Sequence, residues 1–268
     1  MEHISSRQNP LVKRLRDLAR DRADGDEVLL DGPHLVQEAL DAGLALPVAV
    51  FAADAALGRL ARLATACAAQ GTRVVTAPES VMLMVSPVKQ PAGVVALARV
   101  KATTVQAALA AGAPQLLLLL DHVQDPGNVG AIIRAAEACG ATAVIAGPGT
   151  ADPFGWRALR GSMGSAFRLP IAVTRDLDET VDAARAAGLR IFATIPRGGT
   201  PLASVALAGP SAVLLGGEGP GLGADLLAQA DEPVTIPMQQ PVESLNVAIA
   251  AALVLYEASR QRIDVAVR

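Results

Sequence analysis

At 268 residues the chain suits two modest domains or one large one and can bury a sizeable core. Its longest apolar runs, Leu116–Leu120 and Val247–Tyr256, fall well short of the roughly 20 residues a membrane helix needs, and Met1-Glu2-His3-Ile4-Ser5-Ser6-Arg7 lacks an apolar signal-peptide core, so a soluble cytoplasmic protein is expected. The formal net charge of −3 argues against a protein that binds polyanions with its whole surface and directs attention to local basic patches.

Asn9-Pro10 marks a helix start, with Asn as cap and Pro at the first helical position. Leu11, Leu15, Leu18 and Ala19 follow at helical spacing, and the other face carries Lys13, Arg14, Arg16, Arg20 and Arg22. A solvated charged face explains that pattern most simply. The bias is nonetheless basic, and a phosphate backbone is its natural partner. Val28-Leu29-Leu30 reads as a strand, and Gly32-Pro33-His34 opens a helix ending near Gly43. Strands at Pro47–Phe51, Thr72–Val75 and Gly93–Ala98 alternate with helices at Ala55–Gln70 and Pro78–Val85. Alternation of this kind predicts an α/β sheet. The Ala- and Thr-rich stretch from Arg99 to Pro114 places a boundary near residue 105, giving domains 1–105 and 106–268.

In the second half Gln115–Leu120 is a continuous apolar strand, the pattern of a strand buried on both faces. A helix from Asn128 to Cys139, a strand Thr142–Ala146 and a helical Phe154–Met163 come next. Strands are expected at Ile171–Val173, Arg190–Thr194, Ala212–Gly216 and Val234–Met238, with helices at Leu177–Ala187 and Ala224–Ala230. The fold class is therefore α/β with a doubly wound, mainly parallel sheet. Ser244 is expected to cap a last, nearly uncharged helix reaching about Arg262. Cys67 and Cys139 sit in helical patterns and read as small buried hydrophobes of a reducing compartment. His3, His34 and His122 have no metal-binding spacing, so no metal is expected.

Three loops share one position, each at the carboxyl end of a buried strand: Asp121 to Arg134, Gly216 to Gly223, and Ile236 to Ala248. Open α/β sheets bind ligands at that edge. The glycines of the second loop suit either a tight turn or close approach of backbone to a ligand. A dinucleotide site would need an acidic residue at the end of the following strand to hold a ribose. That strand ends Ile236-Pro237-Met238, the glycine spacing misses the fingerprint, and there is no phosphate-loop Lys-Ser/Thr. A pocket of backbone and apolar side chains suits an adenosine-like ligand without a phosphate chain. A nucleotide-dependent oxidoreductase is thus the weaker enzyme reading.

Asn128-Val129-Gly130-Ala131-Ile132-Ile133-Arg134, Leu215-Gly216-Gly217-Glu218-Gly219 and Ile236-Pro237-Met238 with Glu243-Ser244-Leu245-Asn246-Val247 resemble, in order, the three motifs of the SpoU/TrmH family of RNA 2′-O-ribose methyltransferases. Asn9-Pro10-Leu11-Val12-Lys13 and Leu30-Asp31-Gly32-Pro33-His34-Leu35-Val36-Gln37-Glu38-Ala39 resemble the substrate-binding domain that precedes the catalytic domain in rRNA-directed members. One departure is Gln240, where many members have glycine.

The resemblance implies a C-terminal trefoil knot, which pattern reasoning would not propose. It implies S-adenosyl-L-methionine as methyl donor, met by Gly216, Ile236 and Leu245 through backbone groups, with Gly217, Glu218, Gly219 and Met238 lining the same pocket. It implies a homodimer with the last helix in the interface. It gives Arg134 the part of the family's catalytic arginine, while Asn128, Glu218, Ser244 and Asn246 position the ribose and the loops. An arginine is effectively always protonated, so charge stabilisation is the role expected of Arg134 rather than that of base.

RNA is the expected partner, met by Lys13, Arg14, Arg157 and Arg160. From Pro153 to Arg175 no acidic residue occurs, while Arg157, Arg160, Arg168 and Arg175 stand with Phe154 and Trp156. A basic, aromatic-bearing segment of this kind suits a phosphate backbone and a splayed base, and that reading is preferred to scattered surface arginines with core aromatics. The likeness of the first half favours 23S ribosomal RNA over transfer RNA. A non-catalytic RNA-binding assembly factor is the alternative outside the enzymes, and intact Asn128, Arg134, Glu218 and Asn246 count against it.

Overall fold

The computed structural model describes residues 2–20, 25–219 and 221–266. The chain forms two compact units, Met1–Lys101 with Phe154–Phe167, and Ala102–Pro153 with Arg168–Arg268.

The first unit is built on a sheet of β1 (Glu2–His3), β2 (Glu27–Asp31), β3 (Val48–Ala52), β4 (Arg73–Ala77) and β5 (Val94–Arg99), ordered β1-β4-β3-β5-β2. β1, β4 and β3 run parallel, and β5 is antiparallel to both β3 and β2. β1 escaped sequence reading because two residues carry no alternation; Ile4 N–H donating to Thr76 O and the bidentate Arg73–Glu2 pair hold it. Helix α1 (Pro10–Arg20) starts where expected, with Leu11 N–H donating to Asn9 Oδ1 at 2.9 Å. Its buried Val12 and Leu15 pack on Ile4, Leu29, Val50 and Val75. Complete burial of a side chain such as Leu15 contributes about 1.5–3 kcal/mol.

Helix α2 (Pro33–Asp41) follows β2. The single helix expected over Ala55–Gln70 is two, α3 (Ala53–Leu57) and α4 (Ala61–Ala69), because Gly58 takes φ −108°, ψ −117°, outside the helical region. Helix α5 (Glu79–Val85) completes this part.

The second unit opens with α6 (Val105–Leu109), a short helix inside the stretch read as featureless, capped by Thr104. Then come β6 (Leu116–Asp121), α7 (Pro126–Ala138) and β7 (Ala143–Ala146). All five leucines of β6 are fully buried, as a strand covered on both faces requires. After β7 the chain contributes α8 (Trp156–Ser162) to the first unit, where Trp156 packs on the core around Val12 and Leu29. It then returns for β8 (Ile171–Val173), α9 (Leu177–Ala186), β9 (Arg190–Thr194), β10 (Thr200–Pro201), β11 (Ser211–Gly216), α10 (Ala224–Ala228), β12 (Glu232–Thr235) and α11 (Val247–Ala266).

The sheet order is β10-β12-β9-β11-β6-β7-β8, and every neighbouring pair is parallel. The chain thus passes between units after Lys101, before Phe154 and after Phe167, whereas the sequence suggested one passage near residue 105. The reason is chemical: Trp156 finds its apolar seat, and Arg160 its carboxylate partner Asp31, in the first unit.

Three boundaries near the motifs differ from expectation. α7 begins at Pro126 rather than Asn128 and is capped by Asp125: Gly127 and Asn128 N–H donate to its Oδ1 at 2.7 and 3.0 Å. That leaves the Asn128 side chain for other partners. Ser244 does not cap α11; Asn246 does, its Oδ1 accepting from Ala248 and Ile249 N–H at 2.9 and 3.3 Å. β12 ends at Thr235, so Ile236-Pro237-Met238 is loop rather than strand. Pro237 has no N–H to extend a ladder.

Candidate active site

The carboxyl ends of β9, β11 and β12 and the entry to α11 enclose a cavity of about 340 Å³ within the second unit. Strand register sets its wall: Asp121 at the end of β6 is the partner of Gly216 at the end of β11. Gly217 N–H donates to Asp121 O at 2.7 Å. Two glycines are fixed here by packing rather than by φ. A Cβ on Gly217 would stand 1.8 Å from the His122 carbonyl oxygen, and one on Gly216 would stand 2.4 Å from the Gly221 backbone. The second loop is therefore pressed against the first, and its backbone forms the cavity wall. Gly219 (φ +102°) and Gly221 (φ +71°) supply the left-handed turns that fold it over.

The expected donor-binding residues Gly216, Gly217, Gly219, Ile236, Met238 and Leu245 all line this one cavity, as do Glu218, Ser244 and Asn246. Sequence reasoning missed Thr194, Ile195 and Pro196, which close the β9 side. The available signal was that β9 also ends at this edge. Side chains fix that wall: Thr235 Oγ1 donates to Ile195 O at 3.1 Å, and Thr194 Oγ1 to Leu214 O at 3.1 Å.

The three motifs meet in one hydrogen-bond chain. Asn128 Nδ2 donates to Glu218 Oε1, and Asn246 Nδ2 donates to Asn128 Oδ1 at 3.1 Å. With Asn246 Oδ1 occupied by the first turn of α11, the chain runs from a helix N-terminus to a carboxylate. Ser244 lines the cavity without a side-chain partner among the described residues. Arg134 is not brought to the cavity. It lies six residues beyond Asn128 on α7, about 9 Å along the axis and about 120° around it. There it is exposed, with no hydrogen bond or ion pair among the described residues.

The expected RNA contacts are distributed rather than clustered. In the first unit Lys13 is exposed on α1, and Arg14 is held bidentate by Glu27. Arg22 lies outside the described residues. Arg157 stacks 4.8 Å above the Trp156 ring, and Arg160 pairs with Asp31 at 3.2 Å. Asp31 is almost fully buried and also accepts from Ser86 Oγ at 2.7 Å. Burial pushes its carboxyl above the usual range, opposed by the Ser86 hydrogen bond and then by Arg160. In the second unit Arg168 is engaged bidentate by Glu137 at 2.6 and 3.0 Å, while Arg175 is exposed. The acid-free run 153–175 is thus not one basic surface: two of its arginines already have carboxylate partners, and Phe154 is buried.

Burial pushes the Cys67 thiol up to about 11 and raises that of Cys139 as well. Among the described residues no group of His, Cys, Asp and Glu is placed to hold a metal ion. Among the described residues no helix is long and apolar enough to cross a membrane.

A model of the SpoU rRNA Methylase family matches residues 115–256, and one of an MRM3-like substrate binding domain matches residues 9–96. The chain is 32% identical over 259 residues to the 23S rRNA (guanosine(2553)-2′-O)-methyltransferase RlmP of Bacillus subtilis, covering 96% of this chain and 98% of that one. Among solved structures it resembles an rRNA methyltransferase from Sinorhizobium meliloti, with TM-score 0.85, 31% identity and 97% of both chains covered. An AdoMet-bound rRNA methyltransferase from Sinorhizobium meliloti also matches, with TM-score 0.84, 30% identity and 97% of both chains covered. The SpoU methyltransferase AviRb from Streptomyces viridochromogenes, in complex with AdoMet, matches with TM-score 0.82 and 28% identity over 96% of this chain and 99% of that chain.

Proposed function

The chain belongs to the SpoU rRNA Methylase family, and on that premise we propose that it transfers a methyl group from S-adenosyl-L-methionine to a ribose 2′-hydroxyl of 23S ribosomal RNA. The observation that carries the reading is that the second and third motifs line one cavity and the first joins them through the hydrogen bonds of Asn128. The cavity fits the donor. About 340 Å³ lies at the small end of ligand pockets, and the lining is mainly glycine backbone and apolar side chains, with no Lys or Arg among the described lining residues to hold a phosphate. When bound, the donor supplies a methyl group on a sulfonium, open to in-line attack by an oxygen.

The rest of the task falls to this chain's own residues. Gly216, Gly217 and Gly219 present backbone to the donor, while Ile236, Met238 and Leu245 exclude water around it. Asn128, Ser244 and Asn246 hold the ribose and the loops in attack geometry, which is where such reactions gain most. Arg134 places a permanent positive charge against a phosphate and stabilises the oxygen as it loses its proton. Lys13, Arg14, Arg157 and Arg160 provide cationic contacts to the RNA backbone, those already paired exchanging a surface carboxylate for a phosphate.

The protein works as a homodimer in this reading. α11 buries Val247, Ala251, Val254, Leu255 and Ala258 in its own unit, yet its opposite face exposes Ile249, Leu253, Tyr256 and Ile263. Such an apolar stripe on a surface helix marks a contact. α7, which carries Arg134, packs on this same helix. The family's trefoil knot and a cytoplasmic location belong to the same proposal. A substrate-binding role for residues 1–105 and a catalytic role for 106–268 are supported by the two family models.

The test is transfer of labelled methyl groups to total unmodified RNA, with Arg134→Ala alongside. Label in 23S-sized RNA that disappears in the variant is expected. Label confined to transfer RNA would overturn the substrate, and absence of donor binding would overturn the reading entirely.

A further inference from the structure

Transfer to a hydroxyl needs a group that takes its proton, and the motifs do not say which. Arg134 is permanently protonated and does not line the cavity. Amides accept no proton near neutral pH, which removes Asn128 and Asn246. Of the described residues lining the cavity, Glu218 is the one ionisable side chain.

The hydrogen-bond inventory shows how that carboxylate is held. The N–H groups of Ala248 and Ile249 need an acceptor, so Asn246 must turn Oδ1 towards them. Its Nδ2 then faces Asn128, whose Oδ1 must face back and whose Nδ2 must point at Glu218. Every amide direction in the chain is dictated from α11, and the chain ends as a donor on Glu218 Oε1. Glu218 lines the cavity, and its Oε2 has no partner among the described residues. A carboxylate fixed through one oxygen and open at the other has the form of a positioned general base.

We propose, resting on the methyltransferase reading above, that Glu218 is the proton acceptor. Oε2 takes the proton of the ribose 2′-hydroxyl as that oxygen bonds to the methyl carbon; the carbon–sulfur bond breaks, its electron pair stays on sulfur, and the proton passes from Glu218 to water. Asn128 and Asn246 are positioning residues that keep the carboxylate in place. The charged or titratable groups on the surrounding segments are Asp121, His122, Asp125, Arg134, Glu137, Arg197, Asp225, Glu232 and Glu243, none of which lines the cavity.

Glu218→Gln tests the assignment, because glutamine keeps an oxygen for Asn128 while an NH₂ replaces the accepting oxygen. Single-turnover transfer to 23S RNA at saturating donor is measured across pH, with affinities for S-adenosyl-L-methionine and its demethylated product measured by calorimetry. The expected result is a rate at least about a hundredfold lower, loss of the acidic limb of the wild-type pH profile, and both affinities within a few-fold of wild type. A Gln variant that turns over within tenfold of wild type with the acidic limb intact overturns the proposal. So does selective weakening of the sulfonium form with an unchanged rate, which would make Glu218 a charge partner of the donor. A wild-type chain that methylates no RNA overturns the underlying reading, and this inference with it.

Discussion

Asn246 holds two tasks that one substitution separates. As N-cap of α11 it accepts from Ala248 and Ile249 N–H; as an amide donor it bonds Asn128 Oδ1 at 3.1 Å. Aspartate caps a helix as well as asparagine, and its charge suits the positive end of α11. It has no hydrogen to give Asn128, so two oxygens would face each other. Asn246→Asp should therefore unfold within about 1 °C of wild type or slightly above. Asn246→Ala, which loses the cap, should be destabilised by about 1 kcal/mol, or about 2–4 °C for a unit of this size.

Turnover should respond differently. A lost hydrogen bond is worth about 0.5–1.5 kcal/mol and the opposed oxygens add to it, so displacement of Asn128 and Glu218 should cost about 1.5–3 kcal/mol of transition-state positioning. That is a loss of about tenfold to a hundredfold in kcat/KM for Asn246→Asp. Calorimetric melting beside methyl-transfer kinetics checks both halves. Wild-type turnover in the Asp variant, or a fall in its melting temperature matching that of the Ala variant, would refute the two-role account.

Other consequences are equally direct. Arg262 donates to the carbonyls of Leu207, Pro114, Gln115 and Gly209, with no carboxylate partner among the described residues. Arg262→Ala strips Leu207 and Pro114 of their partner and should cost about 2–4 kcal/mol in urea unfolding; a change under about 0.5 kcal/mol would contradict that. Arg134→Lys should keep measurable turnover where Arg134→Ala keeps almost none, and equal loss in both would count against simple charge stabilisation. Leu253→Asp on the exposed face of α11 should shift sedimentation from dimer to monomer without lowering the melting temperature of the isolated chain; an unshifted dimer would move the interface elsewhere.

The buried Asp31 has a carboxyl raised by burial, so the folded state holds its proton more tightly than the unfolded state does. Its contribution to stability is therefore greatest below the ordinary aspartate range and declines as pH rises through that range to the raised value. The difference in unfolding free energy between wild type and Asp31→Asn should move in that direction across the acidic window, and a flat difference would refute the assignment.

Much of the fold and the site was legible because local rules carried it. Five successive leucines forced β6 into the middle of a parallel sheet, Asn9-Pro10 set the start of α1, and Gly/Pro loops at strand ends marked the ligand edge. The glycines of the second loop and the Asn, Glu and Ser around them identified the pocket's residues, though not which of them touch. Only the tertiary structure decided that β11 lies between β6 and β9, which brings the first motif against the second and admits Thr194–Pro196 to the wall. Only it decided that α7 starts at Pro126 under an Asp125 cap rather than at Asn128, and that Asn246 rather than Ser244 caps α11, since cap-forming residue types stand within three positions of each other in both places. The same holds for residues 154–167: spacing reports that Trp156 and Arg160 need partners, but not that the partners come from the first unit. Sequence fixes which faces are apolar and which groups need hydrogen bonds; what covers and satisfies them depends on strand order and register, which are non-local.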